Sequence, residues 1–249
     1  MSFSTDDLGH IYEIIPVLSR MVEMHYVRRT AKTLLDTYLG KLTGHRVLEG
    51  HIKRGDGENI HAVIWFCDLR NSTPLSETMG REDFLDMLNS FLEVMADAVL
   101  EQGGEVLRYI GDAALAIFPI ADDEQGSHCV ATVQAITAAK NAIEGMVDVN
   151  AARAERGENQ IGFGIGLHLG DVTYGNIGSP SRLEFTVIGA AANEAARIES
   201  LTKELHKPVL MSKSFHNCLT NELTSLGKHS LRGVEGEQEI FTLPEYGDI

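Results

Sequence analysis

A continuous apolar run from Ala62 to Cys67 (AVIWFC) constrains the fold of this chain more than any other feature of its sequence. A run without polar alternation is typical of a strand buried on both faces, so other elements must cover both sides of its sheet. From Ile60 onward, the pattern alternates between short strand-like and helix-like segments. The chain is therefore expected to form a mixed α and β domain around this strand.

The segments after this run fall in the order helix, strand, strand, helix, strand. We predict one helix over 73–101, strands at 105–110 and 113–118 with a tight turn at Gly111-Asp112, and a long alanine-rich helix over about 122–155. With the first strand, this order is that of a ferredoxin-like βαββαβ domain of the α+β class. The middle strands follow each other too closely for a doubly wound parallel sheet, which needs long crossovers.

Apolar residues and glycines alternate in GFGIGLHL (162–169), which predicts a strand with one face approached closely by another element. Gly170-Asp171 is interpreted as a hairpin turn that leads into a strand over 172–177. That turn is a sufficient structural reason for Asp171, so we leave Asp171 out of the candidate site. A strand at 185–188, a helix at 190–205 and further short elements are expected as C-terminal additions.

The N-terminal part of the chain has a different pattern. Residues 17–39 contain neither proline nor glycine, and Pro16 either opens this helix or kinks a longer one that starts near Leu8. Apolar side chains recur at heptad spacing in two seams, interrupted only by Arg28: Val17, Met24, Ala31 and Tyr38, and Ile14, Met21, Arg28, Leu35 and Leu42. This spacing favours a parallel coiled coil or a helix pair. The alternative is one amphipathic helix packed on its own domain.

The segment GHIKRGDGEN (50–59) interrupts this regularity and is expected to be a linker. We therefore predict two parts, a helical segment over 1–46 and a larger α+β domain over 47–249.

Composition excludes several classes of function. The chain has 21 basic and 36 acidic residues, and this net charge of −15 opposes nonspecific attraction to nucleic acid or to an anionic membrane. Its apolar stretches are too short to span a bilayer, so we expect a cytoplasmic protein with no membrane span and no nucleic-acid partner. Its three cysteines, Cys67, Cys129 and Cys218, are too far apart to predict a disulfide framework or a zinc site.

Two aspartates stand where the predicted strands place them close together. Asp68 follows the buried apolar run, and Asp112 lies in the turn between the two middle strands. A carboxylate beside a buried strand is costly unless its charge is compensated, and Mg²⁺ accepts one or two carboxylates together with phosphate oxygens. The pair is a candidate metal site. A helix cap at Asp68 and a turn former at Asp112 are the structural alternatives.

Two other segments could contact a phosphorylated ligand. Asn71, Ser72 and Thr73 lead from the first strand into a helix, where backbone amides next to a cation could bind a triphosphate. Asn193 and Arg197 share one face of an alanine-rich helix, although a solvated Asn and a surface Arg would give the same pattern. The chain contains neither a Walker A sequence nor G-x-G-x-x-G, so P-loop and Rossmann interpretations are unsupported.

At this point the sequence resembles the class III adenylate and guanylate cyclases, over roughly residues 47–243. Five ordered motifs carry the resemblance: FCDLRNST (66–73), GGEVLRYIGDAALAIF (103–118), GIGLHLGDVTYGNIG (164–178), EFTVIGAAANEAARIES (184–200) and LRGVEG (231–236). Within the family, the residue patterns of the first and fourth motifs look like those of bacterial members. The resemblance implies a ferredoxin-like cyclase domain that forms a head-to-tail homodimer, preceded here by a long N-terminal signalling helix.

The resemblance also implies roles for individual residues. Asp68 and Asp112 match the aspartates that bind two Mg²⁺ or Mn²⁺ ions, with the backbone carbonyl of Leu69 as a further ligand. Asn193 matches the residue that orients the ribose, and Arg197 matches the arginine that stabilises charge on the α-phosphate. Arg232 falls where the family commonly places a cation for the terminal phosphates. The metal ligands come from one chain, and the Asn and Arg come from the other.

Two positions match those that contact the base. Arg108 stands where adenylate cyclases usually carry Lys, and Thr186 matches the second base contact. Arginine only donates hydrogen bonds, so it can serve N1 of adenine but not the N1–H of guanine. Adenine is favoured, although Arg is bulkier than Lys. Ala113 and Asn71 also differ from the residues that are common in the family, where Gly is frequent at the position of Asn71.

The sequence therefore predicts an adenylate cyclase catalytic domain with ATP as substrate, in a homodimer that an upstream sensor in a longer chain could control. A guanylate cyclase is the first alternative. A degenerate cyclase domain that binds nucleotide or dimerises without catalysis is the second.

Overall fold

A computed structural model of the protein describes residues 4–120, 130–219 and 222–247. The chain divides into two compact units, residues 1–52 and 53–249. The predicted boundary after residue 46 would fall inside a helix (Lys41–Leu48) and stays a prediction. Within the described ranges, no helix is both long and apolar enough to cross a membrane.

The first unit consists of two helices. Helix α1 (Thr5–Leu39) begins with a capping box between Ser4 and Asp7 and continues through Pro16, so the longer of the two predicted helices is observed. Gly40, with a φ of 83°, ends it, and α2 (Lys41–Leu48) folds back until Gly44 packs against the backbone of Leu35 and Asp36. The prediction that Leu42 extends the seam of α1 is wrong, because the left-handed turn at Gly40 places Leu42 in α2.

Most of the apolar seam of α1 is exposed within its own unit. None of the residues of α1 is buried, and Val17, Met21, Met24 and Tyr38 are all exposed. Exposed apolar side chains at heptad spacing are typical of a helix that pairs with another helix. The coiled coil between two chains stays a prediction.

The second unit is an α+β domain with eight strands among its described residues. Its first half contains β1 (Gly57–Leu69), α3 (Ser72–Thr78), α4 (Arg81–Glu101), β2 (Glu105–Ile110), β3 (Ala113–Pro119) and α5 (Val130–Glu155). Its second half contains β4 (Phe163–Ser179), β5 (Arg182–Ile188), α6 (Ala190–Leu205), β6 (Val209–Ser212), α7 (Lys213–His216), β7 (Thr224–Ser230), β8 (Glu237–Thr242) and a 3₁₀ turn (Pro244–Tyr246). The start predicted for the long helix, at 122, lies outside the described residues.

The sheet confirms the predicted ferredoxin-like fold. Its order is β2-β3-β1-β4-β6-β8-β7, and β5 pairs with β4. The four strands of the βαββαβ unit occupy the order β2-β3-β1-β4, all antiparallel, while β6, β7 and β8 extend the sheet beyond β4. The C-terminal additions therefore continue the same sheet.

The central strand β1 is buried on both faces, as the AVIWFC run predicted. Val63, Trp65 and Cys67 pack into the larger core with α4 and α5, whereas Ala62 and Ile64 pack into a second core with β5 and the start of α6. Burial on both faces explains why this strand lacks polar alternation.

The single helix predicted over 73–101 is wrong, because two helices occupy this stretch. Met79 is extended (φ −88°, ψ 154°) and ends α3, and Gly80 then starts α4 as its N-cap. Glycine lowers helix stability, so the interruption falls where the helix is easiest to break.

The predicted hairpin turn at Gly170-Asp171 is also wrong. Strand β4 continues through both residues, because the long β1 pairs with it without a break from Gly57↔Gly175 to Leu69↔Phe163. The side chain of Asp171 instead lies 2.7 Å from Nδ1 of His61 on β1. The linker predicted over 50–59 is shorter than expected, since β1 already begins at Gly57.

Close packing of α6 on β4 explains the alternating glycines. A Cβ atom at Gly166 would overlap the carbonyl oxygen of Ala195, and one at Gly164 would overlap Thr202 Oγ1. The prediction of a closely approached strand face is confirmed. This contact fixes the position of α6 above the strand that neighbours β1.

The exposed seam of α1 generates a prediction about dimerisation. Met24→Glu places a charge in the seam and should raise the dimer dissociation constant at least about tenfold, because burying a methionine contributes roughly 1.5–3 kcal/mol. Tyr26→Glu, two residues away and about 200° around the helix, is the matched control and should leave the constant unchanged. Sedimentation over a dilution series measures both. Equal dimer affinity in the Met24→Glu variant and the wild type would contradict the coiled coil.

Candidate active site

The register of the central strands brings Asp68 and Asp112 together. Asp68 pairs with Ala113 across β1 and β3, so Asp112, in the preceding turn, is its neighbour. Gly111 forms that turn with a φ of 67°, which a residue with a side chain rarely adopts. The two carboxyl groups lie close enough for the charge of Asp112 to raise the pKa of Asp68.

The electrostatics of this pair favour the binding of a cation. Burial, followed by the adjacent Asp112 carboxyl, raises the pKa of Asp68 to about 6, and a hydrogen bond from the Leu69 backbone only partly offsets this. Oδ1 of Asp68 is buried and has no hydrogen-bond partner among the described residues. A buried acceptor without a donor is costly, and a divalent cation would satisfy it.

The donor set fits Mg²⁺ or Mn²⁺ better than an enclosed metal centre. Over the described ranges, no group of three or more His, Cys, Asp or Glu side chains could hold a metal ion. Mg²⁺ is commonly bound by one or two carboxylates with water and substrate phosphates completing its shell. Asp68 and Asp112 offer such a set, with the Leu69 carbonyl as a further proposed ligand.

A cleft of about 390 Å³ opens beside Asp68. One wall is the segment 69–74, from the end of β1 to the first turn of α3, which contains the predicted phosphate-contacting residues Asn71, Ser72 and Thr73. Asn71 is left-handed (φ 60°), and asparagine is among the few residues besides glycine that tolerate this conformation. The local backbone therefore explains why Asn stands where the family often has Gly.

The other wall of the cleft comes from α6 and contains a residue that sequence analysis missed. Glu199 is buried beside Asp68, and burial together with the Asp68 charge raises its pKa to about 7. Arg70 connects the two walls by hydrogen bonds, because its Nη2 donates to the carbonyl oxygens of Thr202 (3.1 Å) and Lys207 (2.8 Å). The position of Glu199 in the fourth motif was the only sequence signal for this acid.

Asn193, Arg197 and Arg232 form a second group. Asn193 is exposed on α6, and Arg197 is half-buried on the same helix. Nη2 of Arg197 lies 3.9 Å from the position that a Cβ of Gly233 would occupy, next to the exposed Arg232. Helix α6 and the turn after β7 thus bring these three predicted site residues to one region.

Arg108 and Thr186 form a third group on β2 and β5. Nη1 of Arg108 donates to Oε1 of Glu184 at 2.9 Å, and Glu184 lies on the same face of β5 as Thr186. The Thr186 hydroxyl is buried without a hydrogen-bond partner among the described residues, and so is Nε of Arg108. Sequence analysis missed Glu184, because nothing local to residue 184 shows that it faces residue 108.

One chain does not bring these groups to the Asp68 cleft. Among the described residues, its lining includes neither the second group nor the third. Helix α6 contributes Glu199, Ser200 and Lys203 to this lining, whereas the side chain of Arg197 lies near Gly233. The predicted metal ligand Asp68 and the predicted ribose and α-phosphate contacts Asn193 and Arg197 therefore occupy different parts of one chain.

Comparison with known proteins identifies the family. The model of the adenylate and guanylate cyclase catalytic domain matches residues 57–245. An adenylate cyclase of Anabaena cylindrica is 35% identical over 202 residues, which are 78% of this chain and 38% of that protein. A terminal-differentiation-specific adenylate cyclase of Dictyostelium discoideum is 33% identical over 161 residues, or 64% of this chain and 7% of that protein. The chain thus spans well under half the length of these relatives.

Solved structures confirm the fold. A bacterial light-regulated adenylyl cyclase superposes with a TM-score of 0.73 at 22% identity, covering 95% of this chain and 66% of that one. The adenylyl cyclase CyaB of P. aeruginosa gives 0.66 at 23% identity, over 75% of this chain and 94% of that one. The guanylyl cyclase Cya2 gives 0.64 at 24% identity, over 78% and 98%. Both adenylyl and guanylyl cyclases share this fold, so it does not decide between their substrates.

The raised pKa of Asp68 predicts how stability depends on pH without metal. Because its pKa of about 6 exceeds the ordinary aspartate value of 3.8, the stability that protonated Asp68 contributes is fully present below about pH 4 and is lost as the pH rises through 6. Asp68→Asn should therefore stabilise the metal-free protein at pH 7.5 by on the order of 1 kcal/mol, discounted for the solvent exposure of the site. Thermal unfolding of wild type and variant between pH 4 and 8 measures the difference.

The same variant tests metal binding without reference to activity. Mn²⁺ should raise the melting temperature of the wild type at pH 7.5 but not that of Asp68→Asn or Asp112→Asn. Asp148→Asn, at an exposed position of α5, is the control and should respond like the wild type. An unchanged response to Mn²⁺ in both site variants would mean that neither aspartate is a ligand.

Proposed function

Because the chain belongs to the adenylate and guanylate cyclase catalytic domain family, we propose that it converts ATP into 3′,5′-cyclic AMP and pyrophosphate at sites shared by two copies of the chain. The observation that carries this proposal is the separation of two groups within one chain. Asp68 lines one cleft and Asp112 is its neighbour, whereas Arg197 is not among the described residues that line this cleft. A two-fold homodimer would bring the Asp68 cleft of each copy against Asn193 and Arg197 of the other, which makes two equivalent sites.

In each site the chain's residues would hold the reactants for an in-line displacement. The ribose 3′-oxygen forms a bond to the α-phosphorus as the bond from that phosphorus to the oxygen bridging the α- and β-phosphates breaks. The hydroxyl proton passes to water, and pyrophosphate leaves. Two Mg²⁺ or Mn²⁺ ions held by Asp68, Asp112 and the Leu69 carbonyl would lower the pKa of that hydroxyl and neutralise the triphosphate. Asn193 orients the ribose, and Arg197 stabilises the charge that develops on the α-phosphate.

The terminal phosphates would have contacts from both chains. Asn71, Ser72 and Thr73 line the Asp68 cleft, where their backbone amides and the Ser72 and Thr73 hydroxyls would donate to the triphosphate. Arg232, beside Arg197, would approach from the other copy. Fixed donors around a developing charge contribute to rate because they need no reorganisation when the reaction occurs.

The base would contact Arg108 and Thr186. Arg108 donates to N1 of adenine, and the unpaired Thr186 hydroxyl accepts from the adenine amino group. The ion pair with Glu184 holds the guanidinium in place before the base arrives. Orientation by a neighbouring carboxylate reduces the entropy that a long side chain loses on binding.

A guanylate cyclase is the second candidate, and Glu184 is the observation that favours it. Guanine presents donors at N1 and at its amino group, and a carboxylate accepts from both. Glu184 therefore places an acceptor beside Arg108 that could serve guanine if the base approached from the side of β5. Adenine remains the first choice because Arg108 and the Thr186 hydroxyl together match its donor and acceptor.

Incubation with Mn-ATP and, separately, with Mn-GTP tests the proposal. We expect kcat/KM for cyclic AMP formation to exceed that for cyclic GMP formation at least about tenfold, because guanine would leave a polar contact unpaired. Arg108→Lys keeps a donor and should retain most of the preference, whereas Arg108→Ala should lose it. Equal or faster turnover of GTP would establish the guanylate cyclase. No product from either nucleotide would identify a domain that binds or dimerises without catalysis.

A further inference from the structure

The second half of α6 carries a lysine that borders the Asp68 cleft. Glu199, Ser200 and Lys203 line one wall of the cleft, and the segment 69–74 lines the other. Residues 199 and 203 are one helical turn apart and share a helix face. A polyphosphate held through metal ions at Asp68 and Asp112 would therefore lie between the segment 69–74 and Lys203.

The charges of the lining leave Lys203 as the cation available to a ligand. The other basic residue, Arg70, is engaged by the carbonyl oxygens of Thr202 and Lys207. Lys203 is exposed and makes no hydrogen bond or ion pair within the part of the chain that the structure describes. Both other charged residues of the lining, Asp68 and Glu199, are acidic. A triphosphate would need a cation on this wall to offset them.

We propose that Lys203 binds the β- and γ-phosphates of the nucleotide, acting on the same chain as Asp68 and Asp112. This inference rests on the proposed function and extends it to a residue of the α6 wall. Lysine is a flexible point charge whose three donors form charge-assisted hydrogen bonds with phosphate oxygens. With Arg232 approaching from the other copy, each triphosphate would be held by one cation from each chain.

Binding of three probes in the presence of Mn²⁺ tests this proposal by calorimetry. They are inorganic tripolyphosphate, 2′,3′-dideoxy-ATP, which lacks the attacking hydroxyl, and AMP, which lacks the β- and γ-phosphates. Lys203→Met keeps most of the length of the side chain and removes the charge. We expect it to weaken binding of the first two probes at least about tenfold and to leave AMP unchanged. Lys203→Arg should stay within about threefold of the wild type.

Lys228→Met is the matched control, because Lys228 is an exposed lysine on β7, outside the cleft lining. It should bind all three probes as the wild type does. Unchanged binding of tripolyphosphate and dideoxy-ATP by Lys203→Met would overturn the proposal. Equal weakening by Lys228→Met would also overturn it, because the effect would then be one of net charge. So would the absence of binding of both probes to the folded wild type.

The outcomes separate this inference from the cyclase function. A wild type that binds both polyphosphate probes through Lys203 but forms no cyclic nucleotide contradicts the function and supports the inference. Cyclic AMP formation together with unchanged binding by Lys203→Met supports the function and rejects the inference. Circular dichroism of each variant establishes that a loss of binding does not reflect unfolding.

Discussion

The packing of α6 on the glycine face of β4 is the contact on which the rest of the site depends. Because Gly164 and Gly166 carry no side chains, the helix approaches the strand until its backbone touches it. This places Glu199 and Lys203 in the lining of the Asp68 cleft, whereas Arg197 is not among the described residues that line it. The same contact therefore builds one wall of the cleft, and the proposed site needs Arg197 from a second copy of the chain.

Much of the fold could be predicted because its signals are local. The AVIWFC run specifies a strand buried on both faces, and the glycine alternation at 162–169 specifies a close approach, and both are confirmed. One error arose because long-range pairing overrides local turn signals. Gly170-Asp171 has the composition of a turn, yet β1 is long enough to hold this stretch in the ladder. Conversely, Met79-Gly80 interrupts a helical pattern that looked continuous.

The candidate site was predictable only as far as its residues lie in recognisable motifs. Asp68 and Asp112 could be proposed as neighbours because strand order alone brings them together. Glu184 and Lys203 could not, since their roles depend on contacts across the fold. Residues 108 and 184 are 76 positions apart, and only the structure shows that they form an ion pair. The acid at Glu199 became significant once its burial beside Asp68 was known.

The most direct test of the central claim mixes two inactive chains. Asp68→Ala and Arg197→Ala should each abolish cyclic AMP formation alone. In a mixed dimer, one of the two sites then combines an intact Asp68 from one chain with an intact Arg197 from the other. Random pairing at equal amounts makes half of the dimers mixed, each with one working site, so activity should recover to about a quarter of the wild type. Mixing Asp68→Ala with Asp112→Ala is the control and should recover nothing. No activity in a verified Asp68→Ala and Arg197→Ala heterodimer would contradict the shared site.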